Sequence, residues 1–480
     1  MVLLKKIKQN RYNAVIKNCR NSDAKKLIKT CENDAVTAFN HALKHSNIYR
    51  NCLNKTIDIN NLKDIKSIQD FKTNIPLINK NLVYDNIDTI LENLTAENMR
   101  SLLLSSGTTG TFSFSVNSQK EIKKSTKFLE LILDHYYGIL TKKTLLINCL
   151  TVKLPSFLDG TLAEIGPRSD TLAYLIENMS PYYDQTIIIG DNYFIKNSIE
   201  DGIAKGIDFS DLKIHLILGG VYLPETLREY LSSLLKIDPA NTETGSILSS
   251  MGISEFGFNL FFESTETIRL RKIIQKDDSL RKQLLGDEIP YLPMCFNYFP
   301  QAFYIEEIND EIVITTLSKA AKIPLIRYNT QDCGRIINFE TLNRVLAKNG
   351  LNSEKLLPRF KSPLVLMFGK IEYLKVKNTK IYPPQIQDII YSNPNIANKT
   401  TGYFHLTKAQ ESKKPRLVIQ MKKYLISKSD KQNYQKLCEE SFYNYFTNQL
   451  TKKDIDIIIE PYNSFHWGLE IDYERKFKYI

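Results

Sequence analysis

The sequence predicts an α/β protein with two domains, and three observations lead to this prediction. Its 480 residues exceed the length that one ordinary hydrophobic core serves. From residue 101 to residue 235, short apolar runs alternate with longer amphipathic stretches, as strands and helices alternate in layered α/β proteins. Near Gly369 the pattern changes to an α+β piece of about 110 residues, enough for a small second domain.

The predicted elements follow one another along the chain. Residues 1–65 are polar and show helical spacing, and a further helix is predicted over 79–94. Strands are predicted at 101–104, 144–150, 186–189 and 215–218, and helices at 120–139, 171–178 and 223–235. Close-set strands at 302–305, 311–315 and 324–328 predict an antiparallel, β-barrel-like portion. The last elements are strands at 374–377, 416–421 and 454–459, and helices from 385 and over 430–447.

Composition excludes several classes of protein. Hydrophobic residues make up 42% and charged residues 24%, close to the average of soluble globular proteins. No apolar run approaches the ~18 residues that a membrane span needs, and the first residues do not resemble a signal peptide. We therefore expect a cytoplasmic protein without a membrane span. The seven cysteines are scattered and form no CxxC pair, which argues against a disulfide framework and against a structural zinc site.

The net charge of +11 is compatible with anionic partners. The lysines, however, are spread along the whole chain and form no dense basic block. A solvated basic surface explains this distribution, and we do not expect nucleic-acid binding.

The strongest local signal is the run from Leu103 to Thr111, in which a strand ends in a Ser/Thr/Gly cluster. Glycines let backbone N–H groups approach an anion, and the hydroxyl groups add donors for phosphate oxygens. The lysine of a P-loop is missing, which disfavours a kinase or GTPase. On these residues alone, a phosphate-binding loop and an ordinary surface turn remain alternatives.

In its motifs the chain resembles the adenylate-forming superfamily, in particular the phenylacetate–CoA ligase-like proteins. The loop Ser-Ser-Gly-Thr-Thr-Gly at 105–110 is similar to the phosphate loop of that family. Further similar segments follow in the family's order over almost the whole chain: residues 38–49, 75–82, 219–222, 251–257, 326–332 and 369–386. The order and spacing make the resemblance specific, although each motif alone is weak.

The resemblance implies a reaction and a set of site residues. A carboxylic acid would react with ATP to give an acyl adenylate and pyrophosphate, and the acyl group would pass to an acceptor. Glu255 would bind Mg²⁺ and take part in catalysis, Lys476 would bridge the carboxylate and the α-phosphate, with Lys478 as its substitute, and Glu372 would be the hinge. The implied phosphate ligands are Ser105, Ser106, Gly107, Thr108, Thr109 and Gly110. The implied adenine and ribose contacts are Gly219, Gly220, Val221, Met251, Gly252, Ser254, Asp332 and Lys370.

The same resemblance implies a large N-terminal domain over 1–368, with the β-barrel portion, and a small mobile α+β domain over 369–480. The active site would lie in the cleft between them. Apolar residues predict an aryl or aliphatic acid as substrate: Phe157, Leu158, Ile217, Phe256 and Phe258.

The chain departs from the family pattern at several motif positions. Met251 replaces an aromatic residue, Gln331 a glycine and Lys370 an arginine, and Thr379 stands where the family has a glycine near the thiol path. The last change leaves the acceptor open: coenzyme A, an acyl carrier protein, another thiol or an amine. Two rival hypotheses are a nucleotide-binding or regulatory relative that has lost ligation, and a generic anion-binding protein.

Overall fold

The structure is a computed structural model. It describes residues 2–62, 64–85, 87–95, 99–105, 112–154, 159–287, 289–408, 414–423, 428–465 and 477–480.

A layer of helices and a short hairpin form the N-terminal part. The bounds are α1 Val2–Asn21, α2 Ala24–His45, α3 Asn47–Asn54, α4 Ile68–Asn74, α5 Lys80–Tyr84, α6 Ile87–Leu91, β1 Ser101–Leu104 and β2 Phe114–Asn117. Predicted helix formation over 1–65 is confirmed by α1, α2 and α3. Two short helices replace the one predicted over 79–94, and the first of them ends at its C-cap Asp85, a residue type that competes with the helix for backbone hydrogen bonds.

A mostly parallel sheet forms the centre of the molecule, in the order β4-β3-β5-β6-β8-β7, with β9 paired to β8. Its elements are α7 Gln119–Tyr137, β3 Thr144–Asn148, β4 Thr161–Glu164, α8 Ser169–Asn178, β5 Gln185–Asp191, α9 Asn192–Ala204, β6 Ile214–Gly219, α10 Glu225–Leu235, β7 Ala240–Asn241, β8 Gly245–Ile253 and β9 Gly257–Phe262. Successive residues of β3 enter different clusters, because Leu145 and Ile147 pack on one side and Leu146 on the other. Both faces are thus buried, which explains the continuous apolar runs.

The predicted β-barrel-like portion is an antiparallel sheet of five strands in the described residues, ordered β10-β14-β13-β12-β11. Its elements are α11 Thr265–Lys276, α12 Asp278–Leu285, β10 Met294–Phe296, β11 Phe303–Ile308, β12 Glu311–Thr316, β13 Tyr328–Ile337, α13 Phe339–Lys348 and β14 Leu364–Gly369. The strand predicted at 324–328 begins only at Tyr328. Arg327 has a left-handed φ of 50° and its guanidinium binds the Glu306 carboxylate, so the chain bends there before the strand starts.

The C-terminal region is α+β, as predicted. It contains β15 Leu374–Val376, β16 Thr379–Ile381, α14 Pro383–Ser392, α15 Pro394–Ala397, β17 Thr400–Thr407, β18 Arg416–Met421, α16 Lys428–Tyr445 and β19 Asp456–Glu460. Its apolar core is continuous with that of the central sheet, since Leu227 and Leu231 of α10 belong to the same cluster as Ile386 and Ile390 of α14. No helix in the described residues is both long and apolar enough to cross a membrane.

Candidate active site

Two glycines at the carboxyl end of β6 bring the backbone close to its neighbours. A Cβ on Gly219 would lie 3.1 Å from the Ser250 carbonyl oxygen, and one on Gly220 would lie 3.4 Å from Asp191 Oδ2. Gly220 also has a φ of +90°, which residues with side chains rarely adopt. The turn from Gly219 to Val221, predicted to contact adenine, is therefore a surface of exposed backbone at the edge of the parallel sheet.

Glu255 lies in the tight turn between β8 and β9, which residues 254–256 form. The Phe256 N–H closes this turn by donating to the Ile253 carbonyl over 2.8 Å. The Tyr328 hydroxyl donates to Glu255 Oε1 over 2.9 Å, which links the central sheet to the start of β13. Burial and the Glu255 carboxylate both raise the pKa of Tyr328, so the phenol remains protonated and keeps donating.

Lys80 is a site residue that the sequence analysis missed. Its Nζ donates to Ser105 Oγ over 3.2 Å. Ser105 in turn joins Ser113, because the Ser105 N–H donates to the Ser113 carbonyl over 2.8 Å and the Ser113 N–H to Ser105 Oγ over 3.0 Å. These bonds close the base of the predicted phosphate loop. Lys80 stood inside the similar segment at 75–82, and this was the one signal that pointed to it.

The charges of Lys80, Glu255 and Lys370 act on one another. Partial burial lowers the pKa of Lys80, the Glu255 carboxylate opposes this effect, and the Lys370 ammonium adds to it. The structure thus brings together residues from α5, the β8–β9 turn and the end of β14. Two cations beside a carboxylate can bind a phosphate chain together with its metal ion.

Asp332 projects from a bulge in β13. The bulge is held by neighbouring side chains: the Gln331 N–H donates to Asn329 Oδ1 over 2.7 Å and the Asp332 N–H to Thr330 Oγ1 over 3.2 Å. Gln331 has a φ of 59°, the left-handed conformation that a glycine would adopt without strain. The side-chain hydrogen bonds explain how this chain keeps the same bulge without the glycine. Asp332 lies close enough to Tyr291 for its charge to raise the pKa of that phenol, after the larger effects of burial, Cys333 and Tyr382.

Some of the remaining predicted site residues belong to the described part of the chain, and others lie outside it. Met251 and Gly252 lie in β8, Ser254 lies in the turn beside Glu255, and Lys370 and Glu372 are exposed after β14. The described residues do not include Ser106, Gly107, Thr108, Thr109, Gly110, Lys476, Phe157 and Leu158. Lys478 is exposed, and its carbonyl lies 3.3 Å from His405 Nδ1. The Phe256 ring packs edge-on against Phe303 and Tyr328.

Within the described residues, the structure holds no group of three or more His, Cys, Asp or Glu side chains suited to a metal ion. The donor set at Glu255 is instead one half-buried carboxylate, close enough to the Lys80 ammonium for its charge to act on the pKa of that lysine. Mg²⁺ fits such a set, because it commonly uses one or two carboxylates together with substrate phosphates and water.

Solved structures similar to this one include an acid–CoA ligase and an acyl acid amido synthetase. The structure aligns with 2-hydroxyisobutyryl-CoA ligase bound to 2-HIB-AMP in the postadenylation state, with a TM-score of 0.67 and 12% identity, over 96% of this chain and 90% of that chain. The chain has the two-domain fold of the adenylate-forming ligases. An acyl acid amido synthetase, AtGH3.15 in complex with 2,4-DB, matches with a TM-score of 0.51 and 12% identity, over 94% and 89% of the two chains.

The structure is more similar to this CoA ligase in its postadenylation state than to the same ligase in its thioesterification state. The same CoA ligase with 2-HIB-AMP and CoA in the thioesterification state gives a TM-score of 0.54, at 12% identity and over 95% of this chain and 91% of that chain. Neither a protein-family model nor a curated protein matches the amino-acid sequence.

Proposed function

We propose that the protein activates a small carboxylic acid with ATP and Mg²⁺, forms an acyl adenylate with release of pyrophosphate, and transfers the acyl group to a thiol or an amine. The observation that carries this proposal is the grouping of Lys80, Ser105, Glu255 and Lys370 on an adenylate-forming fold. The motif resemblance to phenylacetate–CoA ligase-like proteins supports the same reaction.

In this proposal the residues act mainly by positioning and by charge stabilisation. The ammonium groups of Lys80 and Lys370 and the loop at 105–110 bind the phosphate chain, and Asp332 accepts hydrogen bonds from the ribose hydroxyls. Glu255 holds the Mg²⁺ ion, which would neutralise phosphate charge when bound. Tyr328 orients the Glu255 carboxylate through its 2.9 Å hydrogen bond. The motif resemblance assigns the contact with the carboxylate of the acid to Lys476, which lies outside the described residues.

The second half-reaction requires the small domain, over 369–480, to rotate about Glu372. The alignments support a resting arrangement suited to adenylation, because the TM-score is 0.67 against the postadenylation state and 0.54 against the thioesterification state. The neighbours include both an acid–CoA ligase and an acyl acid amido synthetase. Both kinds of acceptor, thiol and amine, therefore stay in the proposal.

The test is acid-dependent exchange of pyrophosphate into ATP, across a panel of aryl, aliphatic and amino acids. The Glu255→Gln variant should lose about 10²- to 10³-fold of the exchange rate because a metal-binding charge is removed, while its unfolding transition changes little. The Asp332→Ala variant should mainly raise the KM for ATP, by about tenfold or more.

A second candidate is a nucleotide-binding relative without ligase activity. The departures at Met251, Gln331, Lys370 and Thr379 favour it. Measurable ATP binding with no exchange for any acid in the panel would support this candidate and reject the ligase proposal.

A further inference from the structure

A cavity of about 430 Å³ lies apart from the candidate active site, where α2 and α3 meet the start of α7 and the loop between β12 and β13. We call it the basic cleft. Its titratable lining consists of three lysines and two histidines, and no carboxylate is among its described lining residues. These lining residues are His41, His45, Lys120, Lys319 and Lys322. The volume suits a small ligand.

The cations of the basic cleft are crowded together. The His41 and His45 rings lie 4.6 Å apart, one helical turn from each other on α2. Burial, as the largest effect, lowers the pKa of His41, and the charges of His45 and Lys319 lower it further. In the described part of the chain, Lys120, Lys319 and Lys322 form no ion pair with a carboxylate within 4.0 Å.

Two charged residues next to the lining in sequence, Arg50 and Glu121, have hydrogen-bond partners of their own. The Arg50 guanidinium donates to the carbonyls of Leu43 and Lys44 and to the Asn47 side chain. The Glu121 carboxylate accepts from the Ser118 N–H and hydroxyl at the start of α7, over 2.9 and 2.7 Å. Uncompensated like charges cost free energy, and a bound anion would offset that cost.

We propose that the basic cleft binds a small phosphate-bearing anion at a site separate from the nucleotide site. Phosphate oxygens accept charge-assisted hydrogen bonds from several ammonium and imidazolium groups at once. The two sites touch opposite ends of one hairpin: Ser105 follows β1 beside Lys80, and Ser118 follows β2 at the cleft. The proposal goes beyond the proposed ligase activity, and it holds whether or not the protein is a ligase.

The experiment is an NMR titration of the histidine ring protons with inorganic pyrophosphate. The chain has six histidines, and the signals of His41 and His45 are assigned through His41→Gln and His45→Gln variants. Millimolar pyrophosphate should shift these two signals and raise the pKa of both rings, so that binding is tighter at pH 6 than at pH 8. An absence of any shift at either ring would overturn the proposal.

Two double variants with the same change in net charge distinguish binding in the basic cleft from a general effect of the protein's net charge. Lys319→Glu with Lys322→Glu should weaken the His41 and His45 response by about tenfold or more. Lys348→Glu with Lys355→Glu makes the same change in net charge at exposed positions on and after α13. This control pair should leave the response of His41 and His45 to pyrophosphate unchanged. Equal weakening by both pairs would show a non-specific field and reject the site.

The source of the phosphate is decided by comparing coenzyme A with dephospho-coenzyme A. A stronger His41 and His45 response to coenzyme A, lost in the Lys319/Lys322 pair, would assign the cleft to the nucleotide end of that acceptor. A response to pyrophosphate alone would assign it to a free phosphate compound. Either outcome supports a phosphate site, and pyrophosphate exchange measured on the same variants tests the ligase proposal independently.

Discussion

At the scale of single residues, the most informative side chain is Lys80. It reaches Ser105 at the base of the phosphate loop, and its pKa responds to both Glu255 and Lys370. Its place in the similar segment at 75–82 was the one local signal, and its partners could not be inferred because they lie 25, 175 and 290 positions away along the chain. Glu255 and Asp332, in contrast, each belong to a recognisable local motif, so the sequence could name them as candidates, and their roles stay predictions.

Lys80→Met should lower acid-dependent pyrophosphate exchange by about 10²-fold, since one charge-assisted contact to the phosphate chain is lost. Its unfolding free energy should change by less than about 1 kcal/mol because the side chain is only partly buried. The control is Lys66→Met, whose side chain is 79% exposed and which should retain full exchange. Full exchange in Lys80→Met would remove Lys80 from the site.

At the scale of elements, the bulge in β13 forms although Gln331 stands where the similar family has a glycine. Asn329, Thr330 and Gln331 form a local network in which side chains take over part of the backbone's hydrogen bonding. The Asn329 amide also donates to the Glu311 carboxylate over 2.6 Å, which ties the bulge to β12. The register shift between β12 and β13 is thereby kept, and Asp332 keeps its direction.

Gln331→Gly should leave the unfolding free energy within about 1 kcal/mol of the parent, because relief of left-handed strain offsets the greater freedom of the unfolded chain. Gln331→Val should lower it by about 1–2 kcal/mol, since a β-branched residue fits this conformation poorly. Denaturant unfolding of the two variants measures the difference. If Val is tolerated as well as Gly, the bulge does not constrain this position.

At the scale of the whole molecule, buried polar contacts join the predicted C-terminal domain to the central sheet region. The Lys196 ammonium on α9 donates to the carbonyls of Ala397, over 2.7 Å, and Thr400 in the C-terminal domain. It also pairs with Glu200 over 3.0 Å, and Glu200 binds Lys422 of the same C-terminal domain and the Tyr230 hydroxyl. Any rotation of the small domain must break this buried cluster.

Because of Lys196, the free energy of unfolding should rise with pH in the alkaline range. Burial, as the largest effect, lowers its pKa from 10.5 to about 8, against the raising effect of Glu200. Between these two values the unfolded chain binds more protons than the folded one, so this residue's contribution to stability rises with pH. Lys196→Met should remove that slope. Denaturant unfolding at pH 7.5 and 9.5 measures it, and the same slope in parent and variant would contradict the assignment.

Much of the fold could be predicted, because it depends on local patterns. The strands at 101–104 and 416–421 were found with their observed bounds, since apolar runs bounded by polar residues are local features. The joined core of α10 and α14 could not be predicted, because it depends on pairing between segments more than 150 residues apart. The same limit hid Lys80, Tyr328 and the Lys196 cluster. The domain boundary at 368/369 and the hinge at Glu372 stay predictions.

The buried charges that follow the turn at 219–221 have a consequence for how the sequence can vary among related chains. Arg228 and Arg271 are fully buried with Glu225 and Glu263, and Arg271 also donates to the Leu223 carbonyl and the Tyr222 hydroxyl. Losing one member leaves an uncompensated buried charge, at a cost of about 3–5 kcal/mol, whereas exchanging the whole set for apolar residues need cost little. These four positions should therefore be inherited together or replaced together, even among chains that share little else.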